Sequence, residues 1–237
     1  MAYSLNSTDS DCYEGTHILI NKLDIHNEEQ LNKNETIITT YKASELISQP
    51  LTPNFCFEDY KKIHKHLFEL LYNWAGEIRT IDLSKSATNF VSPDKIQSLG
   101  ESIFKRLQKL NYFQHLNRNE FIDEVTDLYH SINMLHPFRE GNGRTERVFF
   151  MQLIRNAGYD IDYTAMRSDI LMIGSIQASS GVMDMLKDFF ENISFLDVYN
   201  SCFPIEYFPK PVGMILTYLC TYDNHLTQGS PTSAYIS

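Results

Sequence analysis

The chain has 237 residues, of which 43% are apolar and 21% charged, and its formal net charge is −10. This composition is typical of a globular protein with one good-sized domain or two small ones, and it excludes a disordered chain. The acidic balance argues against a nucleic-acid-binding protein with a broad basic face, because phosphate neutralisation supplies most of that affinity. The four cysteines are widely spaced without a C-x-x-C pair, so we expect reduced, structural thiols at Cys12, Cys56, Cys202 and Cys220.

The sequence carries no recognisable targeting or membrane signal. Its first residues, MAYSLNSTDSD, lack the basic start and the apolar core of a signal peptide. The longest late apolar run, at 212–220, is far shorter than the roughly 20 residues that span a bilayer. We therefore expect a soluble, cytoplasmic protein of a reducing compartment with no membrane and no nucleic-acid partner. A role as a translocated effector is also compatible with these features.

Helical periodicity dominates the chain and predicts an all-α protein. A weaker helix is predicted first, and four amphipathic helices follow it, each with one apolar stripe at helical spacing. A further helix, around residues 148–154, is apolar almost all round, which is typical of a central, enclosed helix. The weaker helix and the four amphipathic ones are predicted at 27–47, 58–74, 93–112, 119–134 and 182–193.

Strand signals are scarce, and the helical pattern ends before the chain does. The best strand candidate is 78–91, which predicts a short hairpin with its turn near Lys85 and Ser86. After residue 193 several prolines crowd together, so we divide the chain into a domain over 1–194 and a C-terminal extension over 195–237. The sequence does not specify the order of that extension.

The stretch HPFREGNGR, residues 136–144, contains more chemistry than a plain helix–helix turn requires. Pro137 disfavours helical backbone in the residue before it, so one helix is predicted to end there and a buried helix to start at about Arg144. Gly141 and Gly143 can adopt the positive φ angles that turn successive N–H groups toward one point and form an anion-binding nest. The start of the next helix adds unpaired N–H groups and the positive end of its dipole.

Charged groups around this nest predict a phosphate site with its own base. Arg144 and Arg147 lie one turn apart, so both can reach an anion held at the helix start. Glu140 can bind Mg²⁺, which usually meets nucleotide phosphates through one or two carboxylates. His136 lies at the mouth of the pocket and supplies an imidazole, the side chain most often used as a general base.

These residues resemble a known family. HPFREGNGRTER at 136–147 fills every specified position of the Fic-family motif H-x-F-x-[DE]-G-N-G-R-x-x-R. Residues 13–25 resemble the family's usual start, and residues 63–90 resemble its second helix and the flap hairpin, so the resemblance covers roughly 12–195. It implies a Fic-type helical bundle with a central buried helix after the active-site loop and a short β-hairpin flap.

The resemblance implies a protein adenylyltransferase that moves AMP from ATP to a Ser, Thr or Tyr hydroxyl of a protein. In that reading His136 deprotonates the hydroxyl, and Glu140 holds Mg²⁺ between the α- and β-phosphates. The remaining motif residues bind the triphosphate: Asn142 with the backbone of Gly141 and Gly143 cradles it, Arg144 steadies the β-phosphate, and Arg147 binds the γ-phosphate. Catalysis then comes from positioning and charge neutralisation around an in-line attack on the α-phosphate.

The flap is expected to hold the backbone of the target protein by strand addition. Its residues are Lys85, Ser86, Ala87, Thr88 and Asn89. A structural role for each of them individually is an equally good interpretation. The implied partner is a protein with a modifiable hydroxyl, and the chain itself is a second candidate for modification.

Many Fic proteins are inhibited by a glutamate on a helix with the pattern [ST]-x-x-x-E-[GN], which pairs with the last arginine of the motif. The one match here runs from Ser10 to Gly15, so Glu14 is the candidate partner of Arg147. The same residues align with the family's ordinary N-terminal segment, in which case inhibition would come from a separate, antitoxin-like protein. Glu35 is a weaker candidate, because Leu31 occupies its serine position.

Two alternatives to AMP transfer remain open. One is another Fic-type reaction, such as transfer of a phosphoryl, other nucleotidyl or phosphocholine group, or removal of AMP. Gly143 argues against the phosphoryl branch, in which lysine is typical at that position. The other is a module that only senses nucleotide, against which the intact His136 argues. His64 and His66 are two residues apart and face different ways on a helix, so we do not expect them to share a metal.

Overall fold

The structure is a computed structural model that describes residues 11–48, 54–85, 88–160 and 168–192, together with three short strand pairs. Helices dominate these residues, which confirms the all-α prediction. In chain order they are α1 Glu28–Ser48, α2 Phe57–Phe68, α3 Pro93–Lys109, α4 Arg118–Leu135, α5 Asn142–Asn156, α6 Ser168–Ser179 and α7 Asp184–Asn192. No helix among the described residues combines the length and hydropathy needed to cross a bilayer.

The strands are two residues long and pair antiparallel. β1 (Ser84–Lys85) pairs with β2 (Thr88–Asn89), with Ser84 opposite Asn89 and Lys85 opposite Thr88. The hairpin expected within 78–91 is therefore present at its base, and its tip, Ser86 and Ala87, lies outside the described residues.

Two further strand pairs involve the C-terminal part of the chain. β3 (Tyr159–Asp160) pairs with β4 (Leu196–Asp197), and β5 (Thr221–Tyr222) pairs with β6 (His225–Leu226). The first of these pairs crosses the predicted domain end at residue 194 by only a few residues. Most of the predicted extension, 195–237, lies outside the described residues, so the division remains a prediction.

Helix α2 is shorter than its apolar stripe suggests. The prediction extended it to residue 74, but it ends at Phe68, and turns follow. Gly76 has a φ of +87°, and its N–H donates to the Nδ1 atom of His64 at 2.8 Å. The chain therefore folds back over α2, and the apolar residues after Phe68 join the core from a turn rather than from a helix.

Helix α4 starts as local rules require, whereas α6 was not predicted at all. Asn117 and Glu120 form a reciprocal capping box at the start of α4. In α6, Ser168–Ser179, the apolar residues are spread around the helix and form no single stripe. Periodicity alone therefore gave no signal for it.

Helix α5 lies in the centre of the bundle, which confirms the expectation of an enclosed helix. It contacts α1, α2 and α4. Phe138, in the loop before α5, is fully buried and stacks on the ring of Tyr60 at 5.6 Å between centroids, as its expected packing role requires. The residues of α5 with almost no solvent exposure are Val148, Phe149, Phe150, Met151, Leu153 and Ile154.

Candidate active site

His136 ends α4 and begins the loop to α5. Its backbone is left-handed, with φ 42° and ψ 59°, and its N–H donates to the carbonyl of Ile132. The ring lies 3.2 Å from the Asn133 carbonyl through Nδ1. Because a carbonyl can only accept, this bond assigns the proton to Nδ1 and the acceptor lone pair to Nε2. The ring is only 6% exposed and stacks on Phe90, with centroids 3.8 Å apart.

Gly141 gives the loop its shape. It has a φ of +82° and immediately precedes α5, and a Cβ at this position would lie 2.2 Å from the ring of Phe68. Both facts require glycine. Its N–H donates to Glu140 Oε1 at 2.9 Å, so a carboxylate oxygen already occupies the anion-binding position of the loop. Its carbonyl accepts from the N–H and hydroxyl of Thr145 in the first turn of α5.

Gly143 differs from this expectation. Helix α5 begins at Asn142, two residues earlier than predicted, so Gly143 lies inside the helix and has no positive φ. The expected second positive-φ glycine is therefore wrong, because the helical N–H groups themselves supply the donors that the nest would have provided. A Cβ at Gly143 would meet nothing within 4 Å, so the residue leaves open space at the start of the helix.

Asn142 closes the loop with its side chain. Its Oδ1 accepts from the N–H of Phe138 at 2.9 Å, and its Nδ2 donates to the Phe138 carbonyl at 2.7 Å. The side chain is 1% exposed. The amide is thus directed at the loop backbone, and any part it takes in an anion cradle comes through its backbone position.

Arg144 is held by two carboxylates and an aromatic ring. Its Nη2 lies 2.9 Å from Oε1 of Glu35 and 3.2 Å from Oε1 of Glu140. The guanidinium also lies over the Phe68 ring, 4.8 Å from its centroid. The sequence considered Glu35 only as a weak inhibitory candidate for the last arginine, whereas the structure places it on the first.

Glu35 lies on the buried face of α1 and is 5% exposed. Burial raises the pKa of its carboxyl above the ordinary value and the charge of Glu140 adds to this, while Arg144 and the hydroxyl of Tyr72 act in the opposite direction. Burial likewise raises the pKa of Tyr72. Tyr72, Glu35, Arg144 and Glu140 therefore form one continuous polar network between α1 and the loop.

His64 holds the same loop from the side of α2. It is fully buried, its Nδ1 accepts from the N–H of Gly76, and its Nε2 donates to the carbonyl of Glu140 at 3.0 Å. The ring stacks on Phe138 at 3.8 Å and on Phe68 at 4.7 Å. Burial lowers the pKa of His64 to about 3, so the imidazole is neutral and acts as a backbone tether.

Arg147 lies in the first turn of α5, three residues after Arg144, and is half-buried. Arg139, by contrast, is turned away from this helix start. Its Nε lies 3.4 Å from Asp11, so it attaches the N-terminal segment to the loop.

That segment bears on the inhibition hypothesis. Residues 11–27 form turns and one isolated bridge, between Cys12 and Leu19, and Glu14 is exposed in one of the turns. Inhibition of the expected kind needs Glu14 on a helix against Arg147, and this placement does not favour it. Ser10 lies outside the described residues.

The hairpin base lies beside His136. Phe90, just after β2, supplies the ring that stacks on His136, and the N–H of Val91 donates to the Met134 carbonyl at 3.1 Å. On the other side, the Thr88 hydroxyl lies 3.2 Å from that of Ser179 at the end of α6. The structure thus brings the hairpin and the loop together on two sides of the same imidazole.

Four residues with direct contacts to this site were missed or assigned elsewhere: Glu35, His64, Tyr72 and Phe90. For Glu35 a signal existed, since a carboxylate on the buried face of an amphipathic helix implies a partner inside the protein. His64 lies next to Ile63 in the apolar stripe of α2, which gave a similar hint. For Tyr72 and Phe90 the sequence offered no comparable sign.

Glu140 is the one motif residue suited to a metal. Among the described residues, no group of three or more His, Cys, Asp or Glu side chains could hold a metal ion by itself. Mg²⁺ keeps several waters and is typically bound by one or two carboxylates together with substrate phosphates. A single carboxylate beside a helix start therefore fits Mg²⁺ that arrives with a nucleotide.

Comparison with known proteins matches residues 54–154 to the Fic/DOC family. Over 171 residues the chain is 32% identical to a protein of Sinorhizobium fredii named as a probable protein adenylyltransferase, covering 72% of this chain and 88% of that protein. The chain belongs to the Fic/DOC family. This confirms the resemblance drawn from the motif.

Two further relatives extend the comparison. The chain is 34% identical over 171 residues to the protein adenylyltransferase VbhT of Bartonella schoenbuchensis, but it spans only 36% of VbhT. The crystal structure of BepC from Bartonella tribocorum with bound AMPPNP matches with a TM-score of 0.72 at 26% identity, over 77% of this chain and 95% of that one. The expected Fic-type helical bundle is thereby confirmed.

Proposed function

We propose that the chain is a protein adenylyltransferase, which transfers AMP from ATP to a Tyr, Thr or Ser hydroxyl of a target protein or of itself. The observation that carries this proposal is the position of His136 beside the start of α5, with only the loop 137–141 between them. The named activity of the relatives and the AMPPNP bound to BepC support the same chemistry. Magnesium and a cytoplasmic location are parts of the proposal.

His136 is proposed to act as the general base. Because Nδ1 donates to the Asn133 carbonyl, Nε2 is the atom that accepts the proton of the attacking hydroxyl. The hydroxyl oxygen then forms a bond to the α-phosphorus, and the bond from that phosphorus to the oxygen shared with the β-phosphate breaks. The electron pair leaves with pyrophosphate, and His136 retains the proton.

The start of α5 is proposed to bind the triphosphate. Gly141 and the open space at Gly143 allow phosphate oxygens to approach the first N–H groups of the helix. Arg144 stays anchored by Glu35 while it faces the β-phosphate, and Arg147 faces the γ-phosphate, one turn along. Exchange of Glu140 from Arg144 and Gly141 toward Mg²⁺ would accompany ATP binding, and the ion would neutralise phosphate charge.

The hairpin is proposed as the flap that positions the target. Strand addition along Lys85, Ser86, Ala87, Thr88 and Asn89 would hold an extended peptide next to His136. The contact between Phe90 and His136 supports this, because it places the hairpin base directly against the base.

Regulation is proposed to come from a separate, antitoxin-like protein rather than from Glu14. The exposed turn that holds Glu14 supports this choice. Replacement of Glu14 by Gly tests it: intramolecular inhibition requires a several-fold rise in self-labelling, whereas inhibition by a partner leaves the rate unchanged.

The proposed activity is tested with ATP labelled on either the α- or the γ-phosphate, in the presence of Mg²⁺. We expect labelling of the chain or of a target from the α-label only. His136→Ala should reduce the rate by about 10²- to 10⁴-fold, the usual contribution of a general base. His17→Ala, at an exposed histidine, is the matched control and should keep the wild-type rate.

The alternatives give different results in the same experiment. Labelling from the γ-label would replace the proposal with phosphoryl transfer. Binding of ATP without transfer from either label, in protein freed from any inhibitory partner, would instead indicate a nucleotide-sensing module.

A further inference from the structure

Arg79 is a buried arginine that the active-site description has not used. It lies between α2 and β1 and is 4% exposed. Its guanidinium donates to three carbonyl oxygens: Nε to that of His136 at 2.8 Å, Nη1 to that of Ile81, and Nη2 to that of Val91. Its backbone N–H donates to the carbonyl of Pro137 at 2.9 Å.

These three carbonyls belong to the two structures that must meet for transfer. Ile81 precedes β1 and Val91 follows β2, so they are the two ends of the hairpin. His136 is the proposed base, and its carbonyl lies at the end of α4, where helical carbonyls lack partners within the helix. One side chain therefore joins both ends of the hairpin to the backbone of the base.

The chemistry of this contact is specific to arginine. A guanidinium presents its donors in a rigid planar fork, so it can bond three separate oxygens in fixed directions. A lysine ammonium at the same place has a single nitrogen and cannot reach all three. The geometry of the hairpin relative to His136 therefore depends on the fork and not only on a positive charge.

Phe90 provides a second contact across the same junction. Its ring lies 3.8 Å from the His136 ring with an interplanar angle of 10°, and its N–H donates to the carbonyl of Leu83 across the hairpin. Movement of the hairpin would therefore move Phe90 off the imidazole. This makes the stack a reporter of the position that Arg79 fixes.

We propose that Arg79 is a positioning residue that locks the hairpin and His136 into one unit, so that a hydroxyl presented by the hairpin is aligned with Nε2. This inference rests on the proposed function for its kinetic consequence. Its structural part, the dependence of the Phe90–His136 stack on the Arg79 fork, stands independently.

The test is Arg79→Lys, measured in three ways. The His136 ring-proton signals in NMR, shifted upfield by the stacked Phe90 ring, should move downfield toward those of an ordinary histidine. ATP affinity, measured by calorimetry, should stay within about twofold of wild type, while the rate of self-labelling at saturating ATP falls by at least tenfold. Arg118→Lys, an equally conservative change at an exposed arginine, should alter none of the three.

Each outcome decides the proposal. Unchanged His136 signals in folded Arg79→Lys protein would overturn it, as would a loss of ATP affinity equal to the loss of rate. If the wild type transfers no label, the proposed function fails, and the NMR comparison still decides whether Arg79 holds the junction.

Phe90→Leu keeps the proposal testable if Arg79→Lys does not fold. This variant retains the three Arg79 bonds and removes only the ring, so we expect the upfield shift to disappear and the rate to fall less than tenfold. A loss as large as that of His136→Ala would mean that the stack, and not Arg79, sets the junction.

Discussion

The loop before α5 and the hairpin base lie on two sides of His136, and they are held in different ways. The loop is closed by buried groups of its own, with Asn142 bonded to Phe138 and Gly141 packed against the ring of Phe68. The hairpin has only two residue pairs, and its attachment depends on contacts made by other segments, chiefly Arg79. A self-closed loop fixes the phosphate site, whereas a borrowed attachment lets the target-facing side vary.

The largest expected effect breaks the loop. Gly141→Ala adds a Cβ at positive φ and into the Phe68 ring. Left-handed backbone costs about 1–2 kcal/mol in a residue with a Cβ, and overpacking typically adds about 1–3 kcal/mol. The free energy of unfolding in urea should therefore fall by about 2–5 kcal/mol.

Gly143→Ala is the matched control for that change. Its Cβ meets nothing within 4 Å and its backbone is helical, so stability should stay the same or rise by up to about 1 kcal/mol. Transfer from α-labelled ATP should nevertheless fall, because the methyl group enters the space proposed for phosphate. Equal stability losses in the two variants would contradict the distinction between them.

A second effect concerns the tether from α2. The pKa of His64 is lowered to about 3 in the folded protein, so from pH 6.5 down toward 3 the unfolded chain binds a proton that the folded chain does not. Its contribution to stability is complete above pH 6.5 and is lost as pH falls, by about 1.4 kcal/mol per pH unit. Unfolding measured from pH 6.5 to 4.5 should show this slope in wild type and lack it in His64→Gln.

His66→Gln is the control for the tether, because His66 lies on the same helix but bonds Glu45 instead of the loop. It should keep the slope of the wild type. An unchanged slope in His64→Gln would show that another group titrates in this range.

A smaller effect with the opposite sign is expected at Glu35. Its pKa is raised, so above about pH 4.5 the unfolded chain has released a proton that the folded chain still holds, and stability falls as pH rises through this window. Glu35→Gln should lack this loss and gain stability relative to wild type with rising pH. The effect is smaller than that of His64, because Arg144 offsets part of the burial.

Glu29→Gln, at an exposed position of α1, provides the comparison and should not change the pH dependence in this window. A stability difference between Glu35→Gln and wild type that stays constant from pH 4 to 8 would contradict the prediction.

The smallest effect belongs to the hairpin. Thr88→Val removes the hydroxyl that meets Ser179 and keeps the shape of the side chain, so unfolding should cost about 0.5–1.5 kcal/mol less. Self-labelling should change by less than threefold, because Arg79 still holds both ends of the hairpin. Ser179→Ala should give a similar loss, and the double variant should add little, as thermal unfolding of all four proteins would show. A larger kinetic loss in Thr88→Val than in Arg79→Lys would reverse the order of the two attachments.

Local patterns predicted the parts of the fold that depend on neighbouring residues. The start of α3 at Pro93 and the enclosed helix after the loop were predicted correctly, because capping signals and apolar spacing act within a few residues. The end of α2 was wrong, since Gly76 folds back onto His64 and ends the helix through a distant bond. Helix α6 was missed, because its apolar residues form no stripe.

By itself the sequence determined the identity of the loop, since the chemistry of 136–147 is written in consecutive residues and tolerates little else at Gly141. Only the tertiary structure decided what holds that loop in place. Arg144 meets Glu35 from 109 residues away, Glu140 meets His64 from 76, and His136 meets Arg79 from 57. Such contacts leave no spacing in the sequence, because they form only when the packing of α1, α2 and α5 brings the buried polar groups within reach of one another.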